Sequence, residues 1–562
     1  MTAGHEPNVL ERARAWLAGD PDTAMQARLQ ELIDAGDEVA LRDHVGIDLA
    51  FGTAGLRGEV GPGPNRMNRA VVIRASRGLA DWSIADVPDA RERGVIVGYD
   101  ARPDSAQFAR DTATVMAAAG LSVWLFDAAV PTPLAAFAMR AMNTATGVVV
   151  TASHNPPADN GYKVYDPGAI QITAPTDRDI AAAIAAVGPA TKVSGVGVDP
   201  ADLGVRLLGG EVADDYLAAI ADERPDLGEV DCSIPIVLTS LHGVGGALAM
   251  RALREAGFTA LHPVPEQAEP DGTFPTVAFP NPEEPGALDM AKALATEVDA
   301  AVLLANDPDA DRLAVAVPTG NGWRLLHGDE VGVLLADHLL EQHGSGAVVA
   351  SSIVSTARLD AVAEHHGARR LTTLTGFKWI WRALREVSRS EHLTPVLGYE
   401  EALGYSVGTP VRDKDGISAA VVVADLVGHL LAQGRTLADR LHDLDERYGR
   451  WAHGQRSLRR DGPEGHAAIA AMMLAAEQPP TQVGGRAVER TEDLRTGADA
   501  RPAWLPADLV LIWHLAGGRI LIRPSGTEPK LKIYADLPIG DTDDADRILA
   551  DVLDDAANHL SR

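Results

Sequence analysis

The chain has 562 residues, enough for three or four domains of about 150 residues each. Its 50 basic and 79 acidic residues give a formal net charge of −29, which argues against the broad basic surface that nucleic-acid binding needs. The start of the chain lacks the apolar core of a signal peptide, and no run of about 18 apolar residues occurs. We therefore expect a cytoplasmic protein that binds neither nucleic acid nor membranes.

The apolar pattern predicts an α/β fold over most of the chain. Helical periodicity covers residues 9–33, and short apolar runs then alternate with Ala-rich helical segments, which is typical of sheets with helices packed on their faces. The predicted strands of this part are 94–98, 122–126, 147–150, 234–239, 299–306 and 347–351. The predicted helices are 105–119, 133–142, 246–256 and 417–433.

The last part of the chain has a different pattern. Two short strands, 510–515 and 519–522, are separated by Gly517-Gly518, which is a hairpin signal. A third strand at 531–535 and an acidic helix at 542–561 follow, whereas the polar residues 477–508 predict an irregular excursion. We therefore predict three similar α/β domains with mixed sheets and a smaller C-terminal α+β domain. Their predicted ranges are 1–207, 208–320, 321–450 and 451–562.

Ser153 is the first candidate catalytic residue. It lies in the string TASHNPP (residues 151–157) directly after an apolar run, so it should end a strand in a turn that two prolines keep from becoming a helix. A serine hydroxyl needs a neighbouring base to act as a nucleophile. His154 is one candidate base. Lys163 is another, if an Asn160-Gly161 turn brings it back toward the serine. An ordinary loop serine is the alternative.

Asp307, Asp309 and Asp311 form the second candidate site. In an extended segment this spacing points three carboxylates the same way, where they repel one another unless a cation lies among them. Oxygen ligands favour Mg²⁺ or Ca²⁺. An EF-hand does not fit, because its sixth and twelfth positions hold Arg312 and Pro318 rather than Gly and Glu. We therefore predict Mg²⁺, with a solvated acidic turn as the alternative.

The string RPSGTEPK (residues 523–530) is a candidate anion site. Arg523 can contact a phosphate through two N–H groups, the hydroxyls of Ser525 and Thr527 add donors, and backbone amides around Gly526 can form an anion-binding nest. A polar hairpin loop is the alternative.

Two further strings could bind a sugar. GYEEALGY (residues 398–405) has paired carboxylates that can accept hydrogen bonds from sugar hydroxyls, and TGFKW (residues 375–379) offers an amide, a cation and an aromatic surface. A solvated loop and a simple strand-to-helix turn are the respective alternatives. A third string, SLHGVGG (residues 240–246), is not a dinucleotide motif, because Leu248 stands where the third glycine belongs. We interpret it as a tight strand–helix connection.

The ordered strings TASHNPP, DPDADR, GYEEALGY and RPSGTEPK resemble the α-D-phosphohexomutase superfamily over essentially the whole chain. The FGTAGLRG string (residues 51–58), TLTGFKW and GYEEALGY are most similar to its phosphoglucomutase/phosphopentomutase branch. The resemblance implies four domains around a central cleft and a phosphoryl group carried on Ser153. It also implies a phosphoprotein of carbohydrate metabolism that interconverts a hexose 1-phosphate and a hexose 6-phosphate, most simply glucose phosphates.

The resemblance also implies roles for individual residues. Mg²⁺ would lie between the phosphoserine and the three aspartates. Arg57 and Lys163 would lie beside the transferring phosphate, with Lys163 a general acid/base. Gly376 and Lys378 would belong to the sugar-specificity loop, and Glu401 would hold ring hydroxyls. The remaining substrate-binding candidates are Arg312, Arg523, Ser525, Gly526, Thr527 and Lys530.

One departure bears on the substrate. If Gly404 is aligned with the family string G-E-x-S-G-H, Leu403 replaces the serine and Tyr405 the histidine, which argues against mannose as the preferred sugar. The resemblance implies a sugar monophosphate as substrate and a sugar bisphosphate, glucose 1,6-bisphosphate, as activator. The alternatives are a phosphopentomutase, a phosphomannomutase, a glucose 1,6-bisphosphate synthase and a non-catalytic sugar-phosphate-binding protein.

Overall fold

The computed structural model describes residues 8–460, 464–525, 529–540 and 544–562. The chain forms two compact units. One contains the residues up to Leu325 together with Gly404–His429, and the other contains Leu326–Leu403 together with the residues from Leu430 onward.

The first sheet is mixed, with strand order β1-β5-β4-β2-β3-β6. The strands β2, β3, β4 and β6 run parallel, whereas β5 runs antiparallel to both β4 and β1. All five residues of β4 are buried, which explains why this strand is a continuous apolar run. The elements of this part are α1 Val9–Gly19, α2 Thr23–Ala35, α3 Glu38–Val45, β1 Leu56–Glu59, α4 Arg69–Asp86, α5 Ala90–Arg93, β2 Val95–Tyr99, α6 Ser105–Ala118, β3 Val123–Phe126, α7 Thr132–Ala141, β4 Thr146–Val150, β5 Asp159–Tyr165, α8 Thr176–Ala185 and β6 Arg206–Leu208.

The second sheet is also mixed, with strand order β11-β10-β9-β7-β8. Its strands β7, β8 and β9 are parallel, and β10 returns antiparallel to β9 and pairs with β11. The elements are α9 Glu211–Ala221, β7 Ile236–Thr239, α10 Gly246–Glu255, β8 Leu261–Pro263, α11 Asp289–Glu297, β9 Val302–Asn306, β10 Leu313–Thr319 and β11 Gly322–Leu325.

The third region is built on parallel strands, because β12 pairs in parallel with both β13 and β14. Its helices follow the strands in alternation, as in the first two regions. The elements are α12 Gly328–His343, β12 Ala347–Ser352, α13 Arg358–His366, β13 Arg369–Thr373, α14 Phe377–Glu391, β14 Thr394–Glu400, β15 Gly404–Val407, α15 Gly416–Ala432 and α16 Leu437–Tyr448.

The C-terminal region is an antiparallel sheet of order β16-β21-β20-β19-β18-β17 covered by two helices. Its core packs α17 and α18 against the apolar face of the sheet. The elements are β16 Arg450–Arg459, α17 Gly465–Ala476, β17 Gln482–Val483, β18 Arg486–Asp493, β19 Leu511–Leu515, β20 Gly518–Pro524, β21 Lys530–Ile539 and α18 Ala545–Leu560. The predicted fold class, three α/β domains and a smaller C-terminal domain, is confirmed, whereas the exact domain boundaries stay predictions.

One prediction for this last region is wrong. Residues 477–508 are not simply irregular, because β18 lies inside them and pairs along β19. The sequence hid this strand because half of its residues are exposed and its apolar residues are few. The predicted hairpin at Gly517-Gly518 is confirmed, since Leu515 pairs with Gly518.

The most apolar helix of the chain, α15, is buried rather than exposed. The carboxylate of its Asp425 accepts two hydrogen bonds of 2.8 Å from the Arg224 guanidinium, which explains how an acidic residue is accommodated there. No single helix in the described part of the chain is long and apolar enough to cross a membrane; α15 and α16 reach that length and composition only when taken together across a break.

A buried ion cluster in the second unit gives a prediction for stability. His453 on β16 lies 3.4 Å from an Asp329 carboxylate oxygen and 3.7 Å from one of Asp536 on β21. Burial alone would lower the pKa of His453, but Asp329 and Asp536 raise it from 6.5 to about 9, with Glu401 adding to the effect. This rise in pKa corresponds to a contribution of about 3 kcal/mol to the free energy of unfolding. The contribution is fully present below pH 6.5 and is lost as pH rises through 9.

We expect the melting temperature of His453→Gln to lie well below that of the wild type at pH 6.5, and the gap to close as pH approaches 9.5. Thermal melts of both proteins across this pH range measure it. A pH-independent gap would show that the imidazolium charge does not stabilise the cluster.

Candidate active site

Ser153 lies in the segment that follows β4 and ends at the first residue of β5, residues 151–159, which we call the serine loop. Its backbone has φ +52°, a conformation that a residue other than glycine adopts only at a cost, and its N–H donates to Thr151 Oγ1 at 2.9 Å. The side chain is buried, and Ser153 Oγ donates to Asp307 Oδ2 at 2.8 Å. The predicted position of the serine, in a tight turn at a strand end, is confirmed.

The three aspartates lie in the loop after β9, residues 307–312, which we call the aspartate loop. The expectation of an extended segment is wrong, because the Ala310 N–H donates to the Asp307 carbonyl at 2.8 Å and Ala310 has φ +53°, so the backbone turns. The carboxylates nevertheless converge, and one oxygen from each lies within 4.8 Å of the others. A turn can therefore bring alternate side chains together as effectively as a strand.

Other segments of the first unit hold the aspartate loop through its backbone. The loop carbonyls of Pro308, Asp309 and Ala310 accept hydrogen bonds from the N–H groups of Val244 at 2.8 Å, Thr132 at 2.9 Å and Gly416 at 3.2 Å. Gly245 has no room for a side chain, because a Cβ there would lie 2.2 Å from that of Ala310. The SLHGVGG string is thus a strand–helix connection, as predicted, and its glycines let the aspartate loop approach closely.

The donor set of the aspartate loop fits a hard divalent cation. All three carboxylates are buried, and Asp309 Oδ1 and Asp311 Oδ1 have no hydrogen-bond partner within the described residues. Burial, together with the charges of Asp311 and Asp309, raises the pKa of Asp307 well above its ordinary value. Unpartnered anionic oxygens whose charges destabilise one another are what a bound Mg²⁺ would satisfy.

Lys163 reaches the site by a different route from the predicted one. Asn160 and Gly161 are not a turn but part of β5, which pairs antiparallel with β4, so the strand itself carries Lys163 back beside the serine loop. Lys163 Nζ lies 2.6 Å from Asp309 Oδ2 and 2.9 Å from Asp311 Oδ2. Burial alone would lower the pKa of Lys163, but these two carboxylates raise it overall, so the ammonium is charged.

Sequence reasoning missed a second lysine at this site. Lys414 Nζ lies 3.0 Å from Asp311 Oδ2 and 3.3 Å from Asp413 Oδ1. The Asp413 carboxylate is itself fixed by Tyr165 Oη at 2.8 Å and Gln171 Nε2 at 2.7 Å. The available signal was the charged string RDKD (residues 412–415) directly before the most apolar helix of the chain, where buried charges need partners.

The other predicted residues of the first unit surround the same cluster. Arg57 on β1 donates to Asn155 Oδ1 at 3.1 Å, and the Arg312 N–H donates to Asp307 Oδ1 at 3.0 Å while its Nε lies 3.8 Å from Asp311. His154 Nδ1 lies 3.7 Å from Asp307 Oδ2. Burial, with Arg312 and Arg57 nearby, lowers the pKa of His154 well below its ordinary value, so the imidazole is neutral.

The predicted sugar loops lie in the second unit. The TGFKW string is the turn between β13 and α14, so Gly376 precedes the helix and Lys378 lies in its first turn. The Gly376 N–H donates to Glu400 Oε1 at 2.5 Å. The Glu401 carboxylate accepts hydrogen bonds from Ser352 Oγ at 3.2 Å and Ser355 Oγ at 3.1 Å.

Leu403 and Tyr405, which replace the serine and histidine of the family string, are both fully buried. The Leu403 side chain has no hydrogen-bonding group, and the Tyr405 hydroxyl is not exposed for a substrate to contact.

The candidate phosphate loop joins β20 to β21. Arg523 is the partner of Lys532 across these strands, and the Ser525 N–H donates to the Lys530 carbonyl at 2.7 Å. Gly526 and Thr527 lie outside the described residues. The strands therefore fix where this loop begins and ends.

Comparison with protein families matches four models in order along the chain. Residues 48–190 match phosphoglucomutase/phosphomannomutase α/β/α domain I, residues 214–320 match domain II, residues 327–448 match domain III, and residues 510–555 match the C-terminal domain.

Curated relatives extend over nearly the whole chain. The Haemophilus influenzae protein named "Probable phosphomannomutase" is 42% identical over 507 residues, which cover 88% of this chain and 98% of that protein. The Schizosaccharomyces pombe protein named "Probable phosphoribomutase" is 36% identical over 551 residues, 94% of each chain. The human glucose 1,6-bisphosphate synthase is 33% identical over 561 residues, 93% of this chain and 89% of that protein.

Two solved structures share the fold. A phosphoglucomutase/phosphomannomutase family protein from Burkholderia thailandensis superposes with a TM-score of 0.66 at 22% identity, covering 91% of this chain and 96% of its own. The Paramecium phosphoglucomutase pp63/parafusin, in its open form, gives 0.67 at 17% identity, with 91% and 94% covered. The chain therefore belongs to the phosphoglucomutase/phosphomannomutase family.

Proposed function

We propose that the protein is a phospho-sugar mutase that interconverts a hexose 1-phosphate and a hexose 6-phosphate, with glucose as the preferred sugar. The observation that carries the proposal is the hydrogen bond of 2.8 Å from Ser153 Oγ to Asp307, one of three clustered buried carboxylates. An ordinary structural serine would not need three acidic neighbours. A serine that alternately carries and releases a phosphoryl group needs a cation beside it in both states.

The cation site is proposed to consist of Asp307, Asp309, Asp311 and the phosphorylated Ser153. Mg²⁺ bound there would neutralise charge on the transferring phosphoryl group. Lys163 and Lys414 already balance two of the carboxylates, so the site would not become strongly negative when the phosphoserine forms.

Proton movement is assigned to side chains that touch the same cluster. The ammonium of Lys163 is proposed as the general acid/base of the transfer. Asp307 Oδ2 accepts a hydrogen bond from the Ser153 hydroxyl in the unphosphorylated state. His154 and Arg57 complete the proposed catalytic set: the neutral imidazole can accept a proton, and the guanidinium of Arg57 can contact the phosphoryl oxygens.

Substrate binding is proposed for Arg312 and for the candidate sugar and phosphate loops. Glu401 would hold sugar hydroxyls, and Gly376 and Lys378 would contact the sugar. Arg523, Ser525, Gly526, Thr527 and Lys530 would bind the phosphate that is not being transferred. After the first transfer the bound bisphosphate would turn round, so that its other phosphate returns to Ser153. Loss of the bisphosphate leaves the serine unphosphorylated, which makes glucose 1,6-bisphosphate the expected activator.

A pentose phosphate is the second candidate substrate. A relative named as a phosphoribomutase is 36% identical over 94% of the chain, and the GYEEALGY string lacks the serine and histidine of the mannose-type motif. A glucose 1,6-bisphosphate synthase would use the same nucleophile, and a relative with that name is 33% identical. Because these activities share every proposed catalytic residue, substrate assays separate them. We further propose four domains at 1–207, 208–320, 321–450 and 451–562, and a cytoplasmic location.

We expect Ser153→Ala to lose turnover of glucose 1-phosphate by at least about a thousandfold, because the proposed phosphoryl carrier is removed. The assay follows glucose 6-phosphate with Mg²⁺ and glucose 1,6-bisphosphate present, and intact-mass spectrometry counts phosphoryl groups on each protein. Ser194→Ala, in an exposed loop, is the control and should retain both turnover and phosphorylation. Full activity of Ser153→Ala would refute the assignment of the nucleophile.

Removal of Mg²⁺ by a chelator should abolish turnover reversibly, and Asp309→Asn should weaken Mg²⁺ binding by at least about tenfold, because one anionic ligand is lost. Titration calorimetry on the unphosphorylated protein measures the binding without relying on activity. Asp86→Asn, at the exposed end of α4, is the matched control. Equal Mg²⁺ affinity in Asp309→Asn and wild type would place the cation elsewhere.

The substrate is tested by comparing kcat/KM for glucose 1-phosphate, ribose 1-phosphate and mannose 1-phosphate. We expect the largest value for glucose 1-phosphate and the smallest for mannose 1-phosphate, because Leu403 and Tyr405 offer no exposed hydrogen-bonding group. A larger value for ribose 1-phosphate would make the protein a phosphopentomutase.

A further inference from the structure

The side chain of Arg102 donates hydrogen bonds to the backbone of the serine loop. One terminal nitrogen of the guanidinium donates to the carbonyls of Pro156 at 2.7 Å and Asp159 at 2.8 Å, and the other donates to those of Ser153 at 2.8 Å and Asn155 at 2.7 Å. The side chain is buried. A single cation therefore fixes four carbonyls of the loop, including that of the candidate nucleophile.

Arg102 is itself held on the other side. Its Nε lies 3.2 Å from Asp100 Oδ2, and Asp100 Oδ1 accepts hydrogen bonds from the Arg102 N–H at 3.0 Å and from Ser105 Oγ at 2.6 Å. The charge of the guanidinium is thus balanced by a buried carboxylate on the segment just after β2. The Asp100 carboxylate therefore helps to fix the guanidinium independently of the serine loop.

A segment that follows the second sheet's β8 covers the guanidinium. The Phe274 ring centroid lies 5.0 Å from Arg102 Cζ, within cation–π range. A Cβ on Gly272 would lie 2.4 Å from both Ala101 O and Arg102 Cα, so only glycine permits this approach. The segment is fixed in turn by hydrogen bonds from Asp271 N–H to His242 O and from Phe274 N–H to Asp271 O. Water is thereby kept from the guanidinium.

The serine loop needs such a partner. Ser153 occupies the left-handed region at φ +52°, which costs about 1 to 2 kcal/mol for a residue with a Cβ. Carbonyl oxygens that converge from four residues repel one another unless a donor lies between them. A fork of N–H donors with a delocalised charge satisfies all four at once, which the point charge of a lysine cannot do.

We propose that Arg102 is a positioning residue for phosphoryl transfer, which acts through the serine loop and touches neither substrate nor metal. By binding the carbonyls of residues 153, 155, 156 and 159 it fixes Ser153 Oγ against Asp307, and Phe274 shields the guanidinium from water. The proposal rests on the mutase function proposed above. A shift of the nucleophile by about 1 Å would cost about a hundredfold in transfer rate.

The test compares Arg102→Gln and Arg102→Lys with Arg93→Gln. Arg93 is a matched control, because its guanidinium also binds backbone carbonyls, those of Asn143 at 2.9 Å and Thr144 at 3.0 Å among them, but outside the serine loop. The readouts are the single-turnover rate of Ser153 phosphorylation by glucose 1,6-bisphosphate, KM for glucose 1-phosphate, Mg²⁺ affinity by calorimetry and the melting temperature.

We expect Arg102→Gln to slow phosphorylation about a hundredfold while KM and Mg²⁺ affinity change less than about twofold, with Arg102→Lys intermediate. Arg93→Gln should keep the wild-type rate even where its melting temperature falls. If Arg102→Gln does not fold, Phe274→Ala keeps every hydrogen bond of Arg102 and should slow phosphorylation by a smaller factor. A wild-type rate in the folded Arg102 variants, or a parallel loss of Mg²⁺ affinity, would overturn the proposal.

The two proposals fail in different ways. If the wild type forms no phosphoserine, the mutase function is wrong. Amide hydrogen exchange over residues 151–160 still tests the positioning role in that case. Faster exchange in Arg102→Gln than in wild type and Arg93→Gln supports it, and unchanged exchange overturns it.

Discussion

The burial of three carboxylates in one loop is the constraint on which the rest of the first unit depends. Asp307, Asp309 and Asp311 lie out of water with oxygens within 4.8 Å of one another. Uncompensated, such charges would cost several kcal/mol each. Lys163 and Lys414 supply part of the compensation, and the hydroxyls of Thr132, at 2.7 Å from Asp309, and Ser153 supply hydrogen bonds.

These partners come from distant parts of the chain, so the loop determines how those parts are arranged. β4 and β9 each end in a loop that carries functional groups, the serine loop and the aspartate loop. Both follow the carboxyl end of a strand in a parallel part of a sheet, where open α/β sheets place their ligands. The N–H groups of Thr132, Val244 and Gly416 then fix the aspartate loop through its carbonyls. The candidate metal ligands therefore lie on backbone that is held on several sides.

The candidate nucleophile, Ser153, is held in a comparable way, but by one side chain rather than by several backbone groups. The Arg102 guanidinium donates to the carbonyl of Ser153, whereas the Asp307 carboxylate accepts a hydrogen bond from the Ser153 hydroxyl. The two loops are thus held by different kinds of group, and the proposed phosphoryl transfer would depend on their relative position. In the second unit, hydrogen bonds within the protein also hold two glutamates. Gly376 N–H donates to Glu400, and the hydroxyls of Ser352 and Ser355 donate to Glu401.

The sequence by itself determined the fold class, placed most of the helices and strands that it predicted to within a few residues, and identified the loops that hold the candidate residues. Those features depend on local patterns: apolar periodicity, prolines after Ser153 and alternating aspartates. The sequence did not predict β18, whose exposed polar residues hide its period, and it gave the wrong local shape for Asn160-Gly161 and for the aspartate loop. Only the tertiary structure decided that Lys163 arrives on an antiparallel strand, that Lys414 pairs with Asp311, and that Arg102 supports the serine. Each of these depends on balancing buried charge or strain between residues far apart in the chain, and no local pattern records such a balance.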